Sequence, residues 1–193
     1  MSWGAICEWI EDCLEDKSFW FRLLLLFWSF RIFWFVFQNE QIPPIWNPLW
    51  VVSHGIHEIG HWITLAFGMW ISVSMGSIFQ FFFPFIFVWG FIKHRDPHAA
   101  FLILTWQSAS LLNMAHYAGS AEYSDILLDT PHYITLYHDW VWMLTKLNAI
   151  HWARSIEGFF WFLAVLFGLI SITGQVGCLY LMARQRFGSS AGH

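Results

Sequence analysis

Long apolar stretches alternate with short polar segments along the chain. Five of these stretches have about the length that a helix needs to cross a bilayer, roughly 20 residues. They cover residues 19–38, 45–67, 78–92, 99–117 and 157–183. Because a helix satisfies its own backbone hydrogen bonds in lipid, the pattern predicts an all-α, polytopic transmembrane bundle of about five spans within residues 19–183.

The two ends of the chain differ from this bundle pattern. Within residues 1–18, apolar residues recur at helical spacing while carboxylates occupy the opposite face; the apolar positions are Ile6, Trp9, Ile10, Cys13 and Leu14. This spacing predicts an amphipathic helix that lies along the membrane surface. Residues 184–193 contain Gly and Ser and are predicted to form a flexible tail.

Two segments between the spans are predicted to be irregular. Residues 71–77, which follow the second span, mix β-branched residues with Ser and Gly and favour a short strand or a re-entrant segment. Residues 118–155 form the longest polar section. This section contains His138-Asp139-Trp140, where Asp139 suits the first turn of a helix.

Composition supports a membrane environment and excludes several partners. The chain is 58% hydrophobic and only 11% charged, whereas soluble domains carry about a quarter charged residues. Its nine basic residues are scattered, without the patch that nucleic acid binding needs. Three cysteines make neither a paired disulfide framework nor a metal-knuckle spacing. We therefore expect lipids, membrane-embedded substrates or partner helices as the binding partners, and no nucleic acid.

The second span, residues 45–67, contains the sequence His57-Glu58-Ile59-Gly60-His61. Residues four apart on a helix lie within about 40° of each other around its axis, so His57 and His61 can hold one ion from one face. Glu58 lies between them and points into the same space, where a carboxylate can take a proton from a zinc-bound water. This HExxH pattern predicts a zinc site with Glu58 as the catalytic base.

A catalytic zinc site of this kind needs a third protein ligand. We predict His138 for this role because it opens a helix after a long loop, with Asp139 and His116 as the alternatives. His54 shares the helix face of His61, and Asn113 lies on the polar stripe of the fourth span. We expect both to lie around the ligands rather than to bind the ion, because a fourth protein ligand would close the position of the water.

The same residues also fit a structural interpretation, in which they bind no metal. In that interpretation His57 and His61 hydrogen-bond to neighbouring helices, and Glu58 pairs with Arg31. A third possibility is a non-catalytic membrane subunit of a larger complex, which binds the metal but does not hydrolyse a substrate. The short loops and the 21% aromatic content suit a protein that lies among other membrane helices.

The motif resembles that of the site-2-protease-like intramembrane zinc metallopeptidases, whose catalytic helix reads HExGH. Over about residues 45–150 the chain looks closer to an uncharacterised bacterial membrane branch of that group. The matching positions outside the HExGH helix are Gly76, Ser77, Gln80, Pro84, Trp106, Gln107, Ser110 and the triplet His138 to Trp140. The resemblance implies a multi-pass protein of the bacterial inner membrane that hydrolyses peptide bonds of membrane-embedded substrates.

Overall fold

The computed structural model describes residues 3–124 and 138–188, and within these ranges it contains helices and turns but no β-strand. The predicted all-α class is therefore confirmed. The helices are α1 (Trp3–Leu14), α2 (Phe19–Gln38), α3 (Trp50–Thr64), α4 (Met69–Lys93), α5 (Pro97–Gly119), α6 (Ala121–Ser124), α7 (Asp139–Lys146) and α8 (Ala153–Gly188). A single 3-10 turn follows α3 at Leu65–Phe67, and another precedes α8 at Ile150–Trp152.

Three segments of the described chain are long and apolar enough to cross a membrane: Phe19–Gln38, Met69–Lys93 and Ile150–Phe187. The prediction of five spans is therefore met only in part. α5 has 23 residues but turns a row of buried polar side chains toward its neighbours. α3 has 15 residues, which makes it about 22 Å long, shorter than the roughly 30 Å of a bilayer core.

Helix α5 packs against α2, α4 and α8. At its middle, Thr105 donates to Ser29 of α2 over 2.9 Å and lies 2.7 Å from the hydroxyl of Ser171 on α8. Gln175 donates to the hydroxyls of Ser29 and Ser171, each over 3.0 Å. All four side chains are buried. Hydrogen bonds of this kind join helices where apolar packing alone gives little specificity.

The chain between α2 and α3 turns back along α2. The indole N–H of Trp28, halfway along α2, donates to the carbonyl of Trp46 over 3.1 Å. The indole N–H of Trp106, near the middle of α5, donates to the Ser53 hydroxyl over 2.8 Å. Helix α3 therefore begins halfway along the bundle, and the first residues of the predicted 45–67 span are not helical. From there α3 runs toward the end of α5 that carries Tyr117.

The strand or re-entrant segment predicted over residues 71–77 is wrong, because these residues belong to the continuous helix α4. Strand propensity depends strongly on context, and a helix satisfies the backbone groups that an isolated strand would leave unpaired. Residues 184–188 of the predicted tail continue α8. Residues 125–137 of the predicted polar section and residues 189–193 of the tail lie outside the described residues.

The amphipathic segment predicted over residues 1–18 contains α1, which packs against α8. Its face of carboxylates meets cations of the bundle: Asp12 pairs with Arg95, and Glu11 pairs with Arg184. Leu14 is buried in an apolar cluster with residues of α2 and α8. These contacts place α1 at the end of the bundle opposite Tyr117.

Candidate metal centre

Two imidazoles and one carboxylate meet where α3, α4 and α7 come together. His57 and His61 face the same direction on α3, with ring centroids 4.7 Å apart. The Oδ2 atom of Asp139 lies 2.8 Å from Nε2 of His57 and 3.2 Å from Nε2 of His61. One ligand atom from each of these residues lies within 4.8 Å of the other two. This is the spacing of donors that surround a single ion.

The outer nitrogen of each ring is hydrogen-bonded to an oxygen of α4. Nδ1 of His61 lies 2.8 Å from the carbonyl oxygen of Ser72, and Nδ1 of His57 lies 3.2 Å from Oε1 of Gln80. The amide nitrogen of Gln80 in turn donates to the Ser110 hydroxyl over 3.1 Å. Carbonyl oxygens only accept, so both rings donate from Nδ1 and turn Nε2 toward Asp139. This is the arrangement of metal-ligating histidines.

Asp139 is anionic in this environment. Burial raises the pKa of its carboxyl, but the hydrogen bonds with His57 and His61 outweigh burial and lower the pKa to about 2. An anionic carboxylate between two imidazole nitrogens favours a cation at the point where the three groups meet.

Glycines at the contact of α3 and α4 keep this point open. A Cβ atom on Gly76 would lie 2.5 Å from Nε2 of His61 and 2.8 Å from Nε2 of His57. A Cβ on Gly60 would lie 2.4 Å from the backbone oxygen of Met75. The first glycine leaves room beside both ligand atoms, and the second lets the two helices approach closely.

Helix α7 positions Asp139 through its own packing. Val141 and Leu144 are buried in a small apolar cluster with Ala121 and Ala153. Asp139 is the first residue of the helix, and its carboxylate contacts His57 and His61 of α3. The apolar face of this short helix thus fixes where the carboxylate lies.

The three groups open onto a cavity of about 590 Å³. Its wall includes Trp50, His54 and Glu58 of α3, and Asn113 and Tyr117 of α5. Cavities of 300–1,000 Å³ accommodate small ligands or a short stretch of chain. The cavity thus provides space for a ligand next to the three candidate metal ligands.

Glu58 is beside the candidate ligands but not among them. Its carboxylate is half exposed in the cavity, with Oε1 3.7 Å from Nε2 of His54. The structural interpretation required an ion pair between Glu58 and Arg31. This pair is not formed, because the Arg31 guanidinium lies over the rings of Phe35 and Trp46. Glu58 therefore shares the cavity with the candidate ligands.

The structure places Asp139, rather than His138, against His57 and His61. His138 caps α7: its Nδ1 accepts the Val141 N–H over 3.3 Å, and its Nε2 lies 2.9 Å from the Ser120 hydroxyl. Burial lowers the pKa of His138, which favours the neutral ring that can act as this acceptor.

The remaining predicted residues are divided between the cavity and the surface. His116 does not line the cavity, and its Nε2 lies 3.0 Å from the side-chain oxygen of Asn39. His54 and Asn113 both line the cavity, as expected for residues around the ligands. The ring of His54 stacks on Trp50, with centroids 5.5 Å apart.

Several residues of the site were not predicted from the sequence. Ser72 contributes a backbone carbonyl, a group that every residue type has, so the sequence gives no signal for it. Gln80 and Gly76 are positions of the family resemblance, but the sequence alone assigned them no role. Tyr117 lies one helical turn after Asn113, so its position on the polar stripe was a usable signal.

Comparison with protein-family models, with curated proteins and with solved structures finds no match to this chain. The resemblance to site-2-protease-like peptidases stays a prediction from the motif residues. The function of the chain is therefore inferred from the geometry of the site.

Proposed function

We propose that this chain is a multi-pass membrane protein that binds zinc through His57, His61 and Asp139 and hydrolyses peptide bonds of membrane-embedded substrates. The observation that supports the metal is the convergence of two imidazole nitrogens and a carboxylate on one point. The observation that supports hydrolysis is the carboxylate of Glu58 in the same cavity, outside the ligand set.

The donor set fits zinc by its chemistry. Two imidazoles and one carboxylate are a ligand set of catalytic zinc sites, which leave a further position for water or substrate. Imidazole nitrogen also suits zinc better than the hard cations magnesium and calcium. The hydrogen bonds from Nδ1 to Ser72 and Gln80 hold each ring with its free nitrogen toward the ion.

Different groups at the site then have different roles in the proposed hydrolysis. A bound zinc ion would supply a Lewis acid that polarises a carbonyl and acidifies water. Glu58 accepts the proton of the attacking water on its carboxylate and passes it to the amide nitrogen as that group leaves. The wall of the cavity that Trp50 and Met114 contribute provides apolar surface for the side chains of the substrate.

The membrane setting follows from the lengths and surfaces of the helices. Two of the segments that are apolar enough to cross are α2 and α4, and the third consists mostly of α8. The 23 residues of α5 reach about 35 Å. Helix α3 exposes Ile59, Trp62 and Ile63 on its outer face, a surface that suits lipid. The resemblance adds the bacterial inner membrane as the proposed location.

The proposal is tested with purified protein in detergent micelles and a library of quenched fluorescent peptides that carry apolar, helix-length segments. Bound zinc and peptide cleavage are measured for the wild type and for Glu58→Gln. We expect Glu58→Gln to retain zinc, because the carboxylate is not a ligand, and to lose cleavage by about 100-fold or more. His54→Gln is the matched control on the same helix and should keep zinc.

Two results would contradict this function. Undiminished cleavage in Glu58→Gln would refute the role of the base. Bound zinc without cleavage of any library member by the wild type would favour the other candidate, a non-catalytic metal-binding subunit.

A further inference from the structure

Tyr117 is held rigidly beside the candidate ligands. Its ring stacks on His138 with centroids 4.2 Å apart and an angle of 24° between the planes. The edge of the ring faces His57, with centroids 6.0 Å apart. The hydroxyl oxygen accepts the backbone N–H of Asp139 over 3.2 Å. Both ends of the side chain are therefore fixed against residues of the metal site.

The hydroxyl of Tyr117 has an unused proton. A phenol carries one O–H donor in addition to its acceptor lone pairs. Among the described residues, its hydrogen bond to Asp139 uses only a lone pair. Because Tyr117 lines the cavity, the proton is available to a group that enters there.

Several other polar side chains of the cavity are committed elsewhere. The Ser53 hydroxyl accepts the indole N–H of Trp106, and the ring of His54 faces Glu58. The amide of Gln80 is used by His57 and Ser110. The Ser72 hydroxyl donates to the backbone carbonyl of His61, whereas the Tyr117 hydroxyl uses only a lone pair toward the N–H of Asp139.

We propose that Tyr117 is a catalytic residue that donates a hydrogen bond to the substrate oxygen that becomes negatively charged. This inference rests on the proposed function. When water adds to the carbonyl carbon, a C–O bond forms, the carbonyl π electrons move to oxygen, and Glu58 takes the water proton. The Tyr117 hydroxyl keeps its proton and stabilises the new oxyanion, as donors placed for a developing charge do.

The test uses the cobalt-substituted full-length protein in detergent and a phosphinic dipeptide, whose tetrahedral anion resembles the attacked carbonyl. Metal content is measured first for the wild type, Tyr117→Phe and the control Tyr180→Phe; Tyr180 is an exposed residue of α8. Probe affinity is then read from the cobalt absorption spectrum. Imidazole serves as a second probe, because it binds metal without presenting an oxyanion.

We expect all three proteins to bind cobalt and imidazole equally. Tyr117→Phe should bind the phosphinate about 10- to 100-fold more weakly, as expected for a lost hydrogen bond to a charged group. Equal phosphinate affinity in the wild type and Tyr117→Phe overturns the inference and leaves the metal site standing. Equal losses for phosphinate and imidazole also overturn it, since they indicate only a disturbed Asp139. Absence of metal from the wild type contradicts the proposed function itself.

Discussion

Replacing Gly76 with alanine perturbs the candidate metal site without replacing any of its proposed ligands. The added Cβ would lie 2.5 Å from both Cε1 and Nε2 of His61 and 2.8 Å from Nε2 of His57, well inside the 3.4 Å at which ordinary contacts begin. Both rings must therefore shift, or α4 must move away. Ligand atoms tolerate displacements of only about 0.2 Å, so we expect zinc affinity to fall by roughly 100-fold or more, while overpacking costs about 1–3 kcal/mol of stability.

The assay is competition for zinc between the purified protein and a fluorescent chelator, with helix content followed by circular dichroism. Gly90→Ala is the matched control on the same helix, because a Cβ there meets nothing within 4 Å. Gly60→Ala separates packing from ligand geometry, since its Cβ would meet the backbone of Met75 instead of the imidazoles. A folded Gly76→Ala protein with wild-type zinc affinity would refute the proposed geometry.

Three further changes test the parts that surround the site. Gln80→Leu removes the oxygen that orients His57 and should weaken zinc about 10- to 100-fold in the chelator assay; unchanged affinity would exclude that role. Gln175→Leu breaks the hydrogen bonds of the buried cluster and should lower stability by about 1 kcal/mol, leaving zinc bound; a loss of zinc instead would contradict the separation of the cluster from the site. Burial raises the pKa of Asp96, but the hydrogen bonds from Arg22 and from the Ala99 N–H, together with nearby positive charge, lower it more, so its contribution to stability is present above the ordinary pKa and is lost as pH falls through the folded-state value. Thermal unfolding should therefore show a smaller acid-dependent loss in Asp96→Asn, and identical pH profiles would contradict this reasoning.

The sequence was most informative where one periodicity governs both structure and chemistry. The spacing of His57 and His61 on a helix is sufficient to put both imidazoles on one face, and the structure shows them there. The position of Glu58 on the cavity follows from the same period. The apolar stretches likewise predicted the all-helical class. In each case only local geometry was needed.

The sequence was less informative where tertiary contacts determine which of two adjacent residues takes a given role. His138 and Asp139 are adjacent, and their roles depend on which residue precedes the first turn of α7. His138 takes that capping position through its bond to the Val141 N–H, which leaves Asp139 to face α3. The depth at which α3 begins depends on the contact between Trp28 and Trp46. The pattern of hydrophobic and polar residues over 45–67 does not indicate that contact.

We propose that His57, His61 and Asp139 hold one metal ion. The most direct test of this claim is the metal content of the purified protein, measured by mass spectrometry for the wild type, for Asp139→Ala and for the control His116→Ala, whose ring contacts Asn39 away from the cavity. We predict close to one zinc ion per chain in the wild type and in His116→Ala, and little or none in Asp139→Ala. A wild type without metal, or an Asp139→Ala protein that retains the full amount, would contradict the claim.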